Sequence, residues 1–309
     1  MVISGAQMSN KNKNQFTHLK IHTQYSICEG AIKIIDLKDF CKKNKIHAIG
    51  LSDTKNLCGA LEFAENISKV GTQPIIGSQI NFKFQDQIGI LPIIANNFEG
   101  YKSIIGLSSK SYLENKTTDE PHCSFQELLN IKSGITILSG SFRGLIGNLF
   151  AKNLLIEIDE VLKLIKDVFK DRFYLEIQRH NDVGEKLFEE FLLNKSNDLA
   201  IPLIATHEVF YLDKDMHEAH DALICIGEKT YVNEKKRKKY SDQHYLKSSD
   251  QMTEIFSDLP EALENNFNFP FKCSYKPTPS LPILPNISTN KNVDVDQELI
   301  NLASNQLYY

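Results

Sequence analysis

A repeated unit constrains the fold of this chain most: a short apolar run ends in polar residues, and a stretch with helical spacing follows it. The first unit begins at residues 16–26. Strand alternation there places His18, Lys20 and His22 on one face. Apolar residues at helical spacing follow over residues 31–41. A strand that ends in polar residues and leads into a helix is the repeating unit of an α/β barrel, in which functional side chains gather at the carboxyl ends of the strands.

The unit recurs along the chain. Further strands are predicted at residues 47–54, 73–79, 88–95, 135–138, 172–180 and 202–208. Helical patterns are predicted at residues 57–70, 98–112, 124–130, 157–170 and 183–194. About seven β-α units in this order predict a parallel barrel, slightly short of the usual eight units.

The carboxyl-terminal part no longer shows the alternation of strands and helices. A helix is predicted at residues 216–226, and two short helices within 249–266. Prolines then recur in what we interpret as an extended linker. We therefore divide the chain into a disordered extension (1–15), a barrel domain with a helical extension (16–269) and a proline-rich linker (270–309). A linker of this kind predicts that the sequence is the front of a longer protein.

Composition excludes several classes of protein. The chain has 35 basic and 39 acidic residues and a formal net charge of -4, so its overall charge gives no argument for binding nucleic acid or an anionic membrane. The six cysteines form no C-x-x-C pair, which argues against a zinc ribbon and a disulfide framework. Neither a signal peptide nor an apolar run of about 20 residues occurs. We expect a reduced, cytoplasmic protein without a membrane partner.

Several polar groups have a simple structural interpretation. The basic run 235–239 is typical of a solvated loop, with contact to DNA phosphate as the alternative. His217 and His220 lie three positions apart on a predicted helix, but no third metal ligand lies near them in sequence. His18, His22 and His207 are interpreted as hydrogen-bonded residues at strand ends, with metal ligation as the alternative for His18 and His22.

Five short motifs are similar, in order and spacing, to the amino-terminal part of bacterial replicative DNA polymerase III alpha subunits. The motifs are His18-Leu19-x-x-His22-x-x-Tyr25-Ser26, Asp53-x-x-Asn56-Leu57-Cys58-Gly59, Pro74-Ile75-Ile76-Gly77, Tyr174-Leu175-Glu176-Ile177-Gln178 and Tyr245-Leu246-Lys247-Ser248. The resemblance covers about residues 16–285. It implies a PHP (polymerase and histidinol phosphatase) domain, whose fold is a distorted seven-stranded β/α barrel.

The resemblance also implies where a metal site would lie. Members that bind metal hold two or three divalent ions with His, Asp, Glu and Cys side chains, and the ions activate water for phosphoester or pyrophosphate hydrolysis. Against that pattern, the ligand positions occupied by other residue types are Lys20, Thr54, Gln79, Ile90, Ser141 and Phe210. The ligand types that remain are His22, Glu29, Asp53, His180 and Glu208. An ammonium has no lone pair to offer a metal.

We therefore predict a degenerate pocket with no catalytic residue and no bound metal. In its place, the ammonium of Lys20 is expected to offset the mutual repulsion of Glu29, Asp53 and Glu208.

An enzymatic alternative remains. A residual metal-dependent phosphoesterase or pyrophosphatase would use His22, Asp53, His180 and Glu208 around a divalent metal ion. A free-standing enzyme similar to histidinol phosphatase is a third hypothesis, weakened by the depleted ligand set and by the proline-rich tail.

The resemblance implies partners as well. The complete subunit performs template-directed DNA synthesis with Mg²⁺, and it assembles with other subunits of the DNA polymerase III holoenzyme, especially the proofreading exonuclease. The polymerase palm is not part of this chain. We therefore expect a structural and partner-docking module, inactive alone as a nucleotidyltransferase, with DNA contacted through regions outside it.

Overall fold

A computed structural model describes residues 15–116, 118–282 and 294–307. The strands are β1 (Lys20–Ile21), β2 (Ala48–Thr54), β3 (Gln73–Phe84), β4 (Gln87–Ala95), β5 (Cys123–Ser124), β6 (Ile135–Leu138), β7 (Phe173–Ile177), β8 (Leu203–Ala205) and β9 (Glu208–Val209). The helices are α1 (Ile34–Asn44), α2 (Ala60–Ser68), α3 (Phe98–Leu113), α4 (Phe125–Leu129), α5 (Leu145–Ala151), α6 (Leu155–Phe169), α7 (Glu185–Leu199), α8 (His217–Glu228), α9 (Ser249–Ile255), α10 (Pro260–Asn268) and α11 (Val295–Leu307). Each strand and helix predicted from the sequence is present, with shifted ends.

The sheet runs in the order β8-β7-β6-β4-β3-β2-β1-β9, and β5 pairs with β3. Its strands are parallel except β4, which is antiparallel to both β3 and β6. The prediction of an all-parallel barrel is therefore wrong at β4. The reason is a two-residue turn at Gln85 and Asp86, with Gln85 at φ 51°, because a turn this short can join only antiparallel strands.

One interrupted strand closes the barrel. Residues 203–209 form β8, which pairs with β7, and then β9, which pairs with β1. Thr206 continues the ladder across the interruption, because its N–H donates to the carbonyl of Ile177 at 3.0 Å. Counting β8 and β9 as one strand and leaving out the short β5, the fold is a distorted seven-stranded β/α barrel. The predicted fold class is confirmed.

The side chain of Asn266 on α10 joins the segment before β1 to the end of β8. Its Oδ1 accepts from the N–H of Thr17 at 2.8 Å, and its Nδ2 donates to the carbonyls of Thr17 and Ala205, both at 2.9 Å. Asn266 is completely buried. Three backbone groups therefore depend on one amide for their hydrogen bonds.

We expect Asn266→Ala to lower the free energy of unfolding by about 3 kcal/mol, because three buried backbone groups lose their partner. Urea denaturation followed by circular dichroism measures this change. The matched control is Asn265→Ala, which removes one hydrogen bond, from Nδ2 to the carbonyl of Leu203, and is expected to cost about 1 kcal/mol. Equal losses in the two variants would contradict the bridging role.

The apolar core lies between the sheet and the helices. On α6, the predicted stripe of Ile158, Val161, Leu162 and Ile165 is fully buried. Charged side chains such as Lys20 are buried inside the barrel, alongside a smaller apolar cluster that includes Ile75, Ile94 and Leu138. The polar part of this interior leads to the candidate site.

The chain divides into two units, Met1–Thr278 and Pro279–Tyr309. Beyond the predicted boundary at residue 269, the N–H of Ser274 donates to the carbonyl of Asn96 at 2.8 Å. The predicted disordered extension lies outside the described residues except for residue 15, and so does much of the predicted linker. In the second unit, α11 is the described helix. None of the described helices combines the length and the apolar composition needed to cross a membrane.

Candidate functional site

A cavity of about 210 Å³ opens at the end of the barrel where β1 and β2 finish. Its lining residues are His22, Glu29, Thr54, Gln79, Ile90, Ser141, Arg143, Gly144, Glu208, Phe210, Lys238 and Tyr240. Five of the six positions where the sequence departs from the ligand pattern lie in this wall: Thr54, Gln79, Ile90, Ser141 and Phe210. The fold thus brings together positions that are spread over more than 150 residues of sequence.

Lys20, the sixth such position, is buried behind Glu208. Its Nζ lies 3.4 Å from Oε1 of Glu208 and 3.2 Å from Oε1 of Glu176. Burial opposes the charge on the ammonium, but the two carboxylates outweigh it and raise the pKa of Lys20. The expected compensation by Lys20 is therefore found at Glu208, whereas Glu29 and Asp53 have other partners.

Glu176 is a pocket residue that the sequence interpretation missed. Its Oε1 accepts hydrogen bonds from Gln178 at 2.6 Å and from the hydroxyl of Thr206, and Lys20 approaches the same oxygen. The signal was present, because Glu176 is the one charged residue in the apolar strand β7. A lone carboxylate in a buried strand has to find a cation inside the barrel.

Asp53 holds the loop between β1 and α1. Its Oδ1 accepts from the N–H of Thr23 and the hydroxyl of Ser26, both at 2.7 Å, and its Oδ2 accepts from the hydroxyl of Thr23 at 2.8 Å. Burial raises the pKa of Asp53 above its ordinary value, although these bonds oppose the shift. Both carboxylate oxygens are thus committed to the loop.

Glu29 pairs with Lys238, which belongs to the basic run. The Nζ of Lys238 lies 2.8 Å from Oε1 of Glu29, and the hydroxyl of Thr54 donates to Oε2 at 2.6 Å. Burial acts to raise the pKa of Glu29, but Lys238 and its other partners lower it overall. Arg237 also turns inward and pairs with Asp221 at 2.6 Å. The interpretation of the whole run as solvated is therefore wrong for Arg237 and Lys238.

The surroundings of His22 place a proton on its Nδ1. The hydroxyls of Ser26 and Thr54 both donate to carboxylates, so their oxygens accept from Nδ1 of His22, at 3.2 and 3.3 Å. Nε2 lies 2.8 Å from Nε2 of Gln79 and 3.0 Å from Oε1 of Glu208. Gln79 also donates to Glu208 at 2.7 Å. An amide and a carboxylate therefore surround the ring nitrogen that faces the cavity.

The ring of His180 uses both of its nitrogens. Its Nε2 accepts from the backbone N–H of Glu208 at 3.1 Å, so Nδ1 carries the proton and donates to Oε1 of Glu185 at 3.1 Å. Burial and the neighbouring His244 hold the pKa of His180 well below its ordinary value. Burial raises the pKa of Glu185 to about 7.

Three imidazoles stack beside the pocket. His180 lies between His207, at a ring distance of 4.5 Å, and His244, at 4.0 Å and an interplanar angle of 2°. Nδ1 of His244 donates to the carbonyl of Glu208 at 3.1 Å, and its Nε2 lies 3.4 Å from Asp182. No pattern in the sequence indicated that His244 would lie here, because it follows the barrel strands. The backbone and side chain of Glu208 thus contact most of the polar residues of the site.

Four further histidines bond to backbone carbonyls. Nε2 of His18, His207, His217 and His220 lies 2.8–3.2 Å from the carbonyls of Lys247, Tyr245, Tyr240 and Glu29, respectively. The structural interpretation of His18 and His207 agrees with these contacts.

Phe210 occupies the wall of the cavity beside His22, with a ring distance of 4.4 Å and an interplanar angle of 30°. It also contacts Tyr240 at a ring distance of 4.7 Å. Aromatic carbon thus covers one side of the imidazole.

The donor set of this pocket fits a metal ion poorly. Lys20 lies against Glu208, Asp53 is bonded through both oxygens, and the free lone pair of His180 is used by a backbone N–H. Across the described residues, no group of three or more His, Cys, Asp or Glu side chains is arranged to hold a metal ion.

The chain belongs to the PHP domain family, whose sequence profile matches residues 18–180. It is 33% identical over 309 aligned residues to DNA polymerase III subunit alpha of Caulobacter vibrioides, covering 96% of this chain and 27% of that protein. It is 35% identical over 287 residues to DNA polymerase III subunit alpha of Rickettsia felis, covering 91% and 23%. The resemblance inferred from the five motifs is confirmed.

The chain spans about a quarter of the length of these curated relatives. A solved two-domain protein from Bacteroides vulgatus, described as containing a predicted PHP-like metal-dependent phosphoesterase, is similar with a TM-score of 0.41 at 13% identity. That likeness covers 77% of this chain and 62% of the other chain.

Proposed function

We propose that this chain is the PHP module of a DNA polymerase III alpha subunit and that its metal site is degenerate. The observation that carries the proposal is the buried ammonium of Lys20, which lies 3.4 Å from the carboxylate of Glu208. A divalent ion bound to Glu208 would be repelled by that fixed positive charge. The vestigial pocket then consists of Lys20, His22, Glu29, Asp53, Thr54, Gln79, His180, Glu208 and Phe210.

Internal contacts replace the metal ions in this proposal. Lys20 and Lys238 supply two positive charges to the carboxylates of Glu208 and Glu29. Gln79 donates to Glu208 where an acidic ligand would otherwise add a negative charge. The pocket is thereby stabilised without bound metal ions, because each buried carboxylate has a cation or several hydrogen-bond donors.

The role we assign to the module is structural and partner-docking. It supports the polymerase regions of the complete subunit, which uses Mg²⁺ for template-directed DNA synthesis, and it contacts the other holoenzyme subunits, the proofreading exonuclease above all. The similarity to alpha subunits over more than 90% of this chain supports this assignment. The same similarity supports a cytoplasmic location.

Metal titration tests the proposal. After treatment with a chelator, the purified chain is expected to take up neither Mn²⁺ nor Zn²⁺ in stoichiometric amount by isothermal titration calorimetry. It is also expected to hydrolyse neither pyrophosphate nor a phosphomonoester, because no complete ligand set is free. His22→Ala serves as the control and should behave like the parent chain in both assays.

The opposite result would favour the residual phosphoesterase with His22, Asp53, His180 and Glu208. In that result, one metal ion binds per chain, and the chain shows turnover that His22→Ala abolishes. His22 and Glu208 both face the cavity, so they are the residues through which such activity would be detected.

A further inference from the structure

The loop after α8, residues 229–239, is anchored by its own cations. We call it the mouth loop because Lys238 lines the cavity. Arg237 donates to both oxygens of Asp221 at 2.6 Å and to the carbonyl of Val232 at 3.1 Å. Lys238 pairs with Glu29 at 2.8 Å. These contacts hold the backbone of the loop in one conformation, so the positions of its remaining side chains are defined.

The other basic residues of the mouth loop face solvent. Lys235, Lys236 and Lys239 are exposed, and none of them forms an ion pair with any residue of the described ranges. The exposed carboxylate within the loop is that of Glu234. These lysines therefore give the rim of the cavity a local positive potential, although the chain as a whole carries a net charge of -4.

An aromatic ring accompanies this charge. Tyr231 is 74% exposed, and its neighbour Val232 is 57% exposed. A tyrosine ring presented to water beside unpaired lysines combines the two features with which proteins bind single strands: a face on which bases stack, and cations for the phosphates. An acidic peptide would use the lysines, but its carboxylate side chains offer no aromatic face to stack on the exposed ring.

We propose that the mouth loop binds single-stranded nucleic acid, with Lys235, Lys236 and Lys239 contacting phosphates and Tyr231 stacking on a base. This interaction is independent of the vestigial metal pocket. The residues that contact the nucleic acid are those of the mouth loop that take no part in its anchoring contacts. It adds a nucleic-acid contact within this module to those expected in the rest of the alpha subunit.

Fluorescence anisotropy with a labelled single-stranded oligonucleotide of about 20 nucleotides and the 309-residue chain tests this proposal. Binding is expected at about 50 mM salt and should weaken steeply towards about 200 mM. The triple change Lys235→Gln, Lys236→Gln and Lys239→Gln should weaken binding about tenfold or more and lower the slope of log K against log salt by about 2. Tyr231→Ala should weaken binding about fivefold or more with little change in that slope.

The chain offers a matched control in Lys42, Lys43 and Lys45. These three exposed lysines lie at the end of α1, at the opposite end of the barrel from the cavity. Their change to Gln alters the net charge equally and should leave binding almost unchanged. Equal losses in the two triple variants would overturn the proposal, and so would the absence of binding at low salt. A labelled polyglutamate peptide that binds as tightly as the oligonucleotide, with no effect of Tyr231→Ala on either, would assign the loop to an acidic protein instead.

Discussion

Lys20→Met is expected to lower the free energy of unfolding by about 3–5 kcal/mol, because it leaves two buried carboxylates without their cation. The carboxylates are those of Glu176 and Glu208, 3.2 and 3.4 Å from Nζ. Methionine keeps most of the volume of the side chain, so the loss reports on the charge. Urea denaturation at pH 7, followed by circular dichroism, measures the change.

A second substitution compares the loss of a buried lysine charge with the loss of an exposed one. Lys110→Met removes an exposed lysine that lies 2.9 Å from Glu127, and it should have a much smaller effect because water solvates both partners. Adding Glu208→Gln to Lys20→Met should recover part of the lost stability, since one unpaired charge is removed. If Lys20→Met were no more harmful than Lys110→Met, the ammonium would not stabilise the pocket.

Acidification from pH 7 to pH 5 is expected to destabilise the protein strongly. Burial lowers the pKa of His18 and of His220 to about 4, and it holds the pKa values of His180 and His207 well below the ordinary value of 6.5. The unfolded chain therefore binds these protons first. The contribution of these histidines to the free energy of unfolding is complete above pH 6.5. It falls as the pH drops from there towards 4, by at most about 1.4 kcal/mol per pH unit for each histidine.

Two carboxyl groups, those of Asp53 and Glu185, oppose this trend, because burial raises the pKa of each. The pKa of Glu185 is raised to about 7, so its contribution is full below its ordinary value of 4.5 and is lost as the pH rises through 7. It offsets about one of the four histidines. Asp182, whose pKa is lowered to about 2, acts only below about pH 4. For the four histidines and Glu185 together, the net expectation is a proton uptake on unfolding that rises from about one at pH 6.5 to about three at pH 5.

The dependence of the urea midpoint on pH measures this uptake. His18→Gln is the control, because a glutamine amide can still donate to the carbonyl of Lys247 but does not titrate. Its slope of stability against pH should be smaller by about one proton. A parent chain whose stability stayed constant between pH 7 and 5 would contradict the inference that these imidazoles are held neutral.

Local sequence patterns predicted the positions of the strands and helices well, but they did not predict the direction of every strand. The stripe on α6 and the apolar run of β2 were placed correctly because burial on one face or on both faces leaves a periodic signal. The reversal of β4 left no such signal, since alternation is the same in either direction. The turn at Gln85 and Asp86 also lacks the Asn-Gly or Asp-Gly pair that marks most tight hairpins.

The pocket was predictable to the extent that it depends on strand alternation. Lys20 and His22 are both buried at the barrel interior, as their spacing implied. The partner of Lys20 on β7 was not predictable, because two strands far apart in sequence meet there only after closure of the barrel. Lys238 was missed for another reason, because a run of like charges gives no sign that two of its neighbouring members, Arg237 and Lys238, turn inward.

Closure of the barrel has a consequence for how this pocket could change over time. The strand that joins the two edges of the sheet begins its second half with Glu208, so the seam and the centre of the polar network share one residue. Because the backbone of Glu208 closes the barrel and its side chain holds the polar network, a mutation at this position would affect both at once. In the proposed module without metal, Lys20 supplies the positive charge that this buried carboxylate requires.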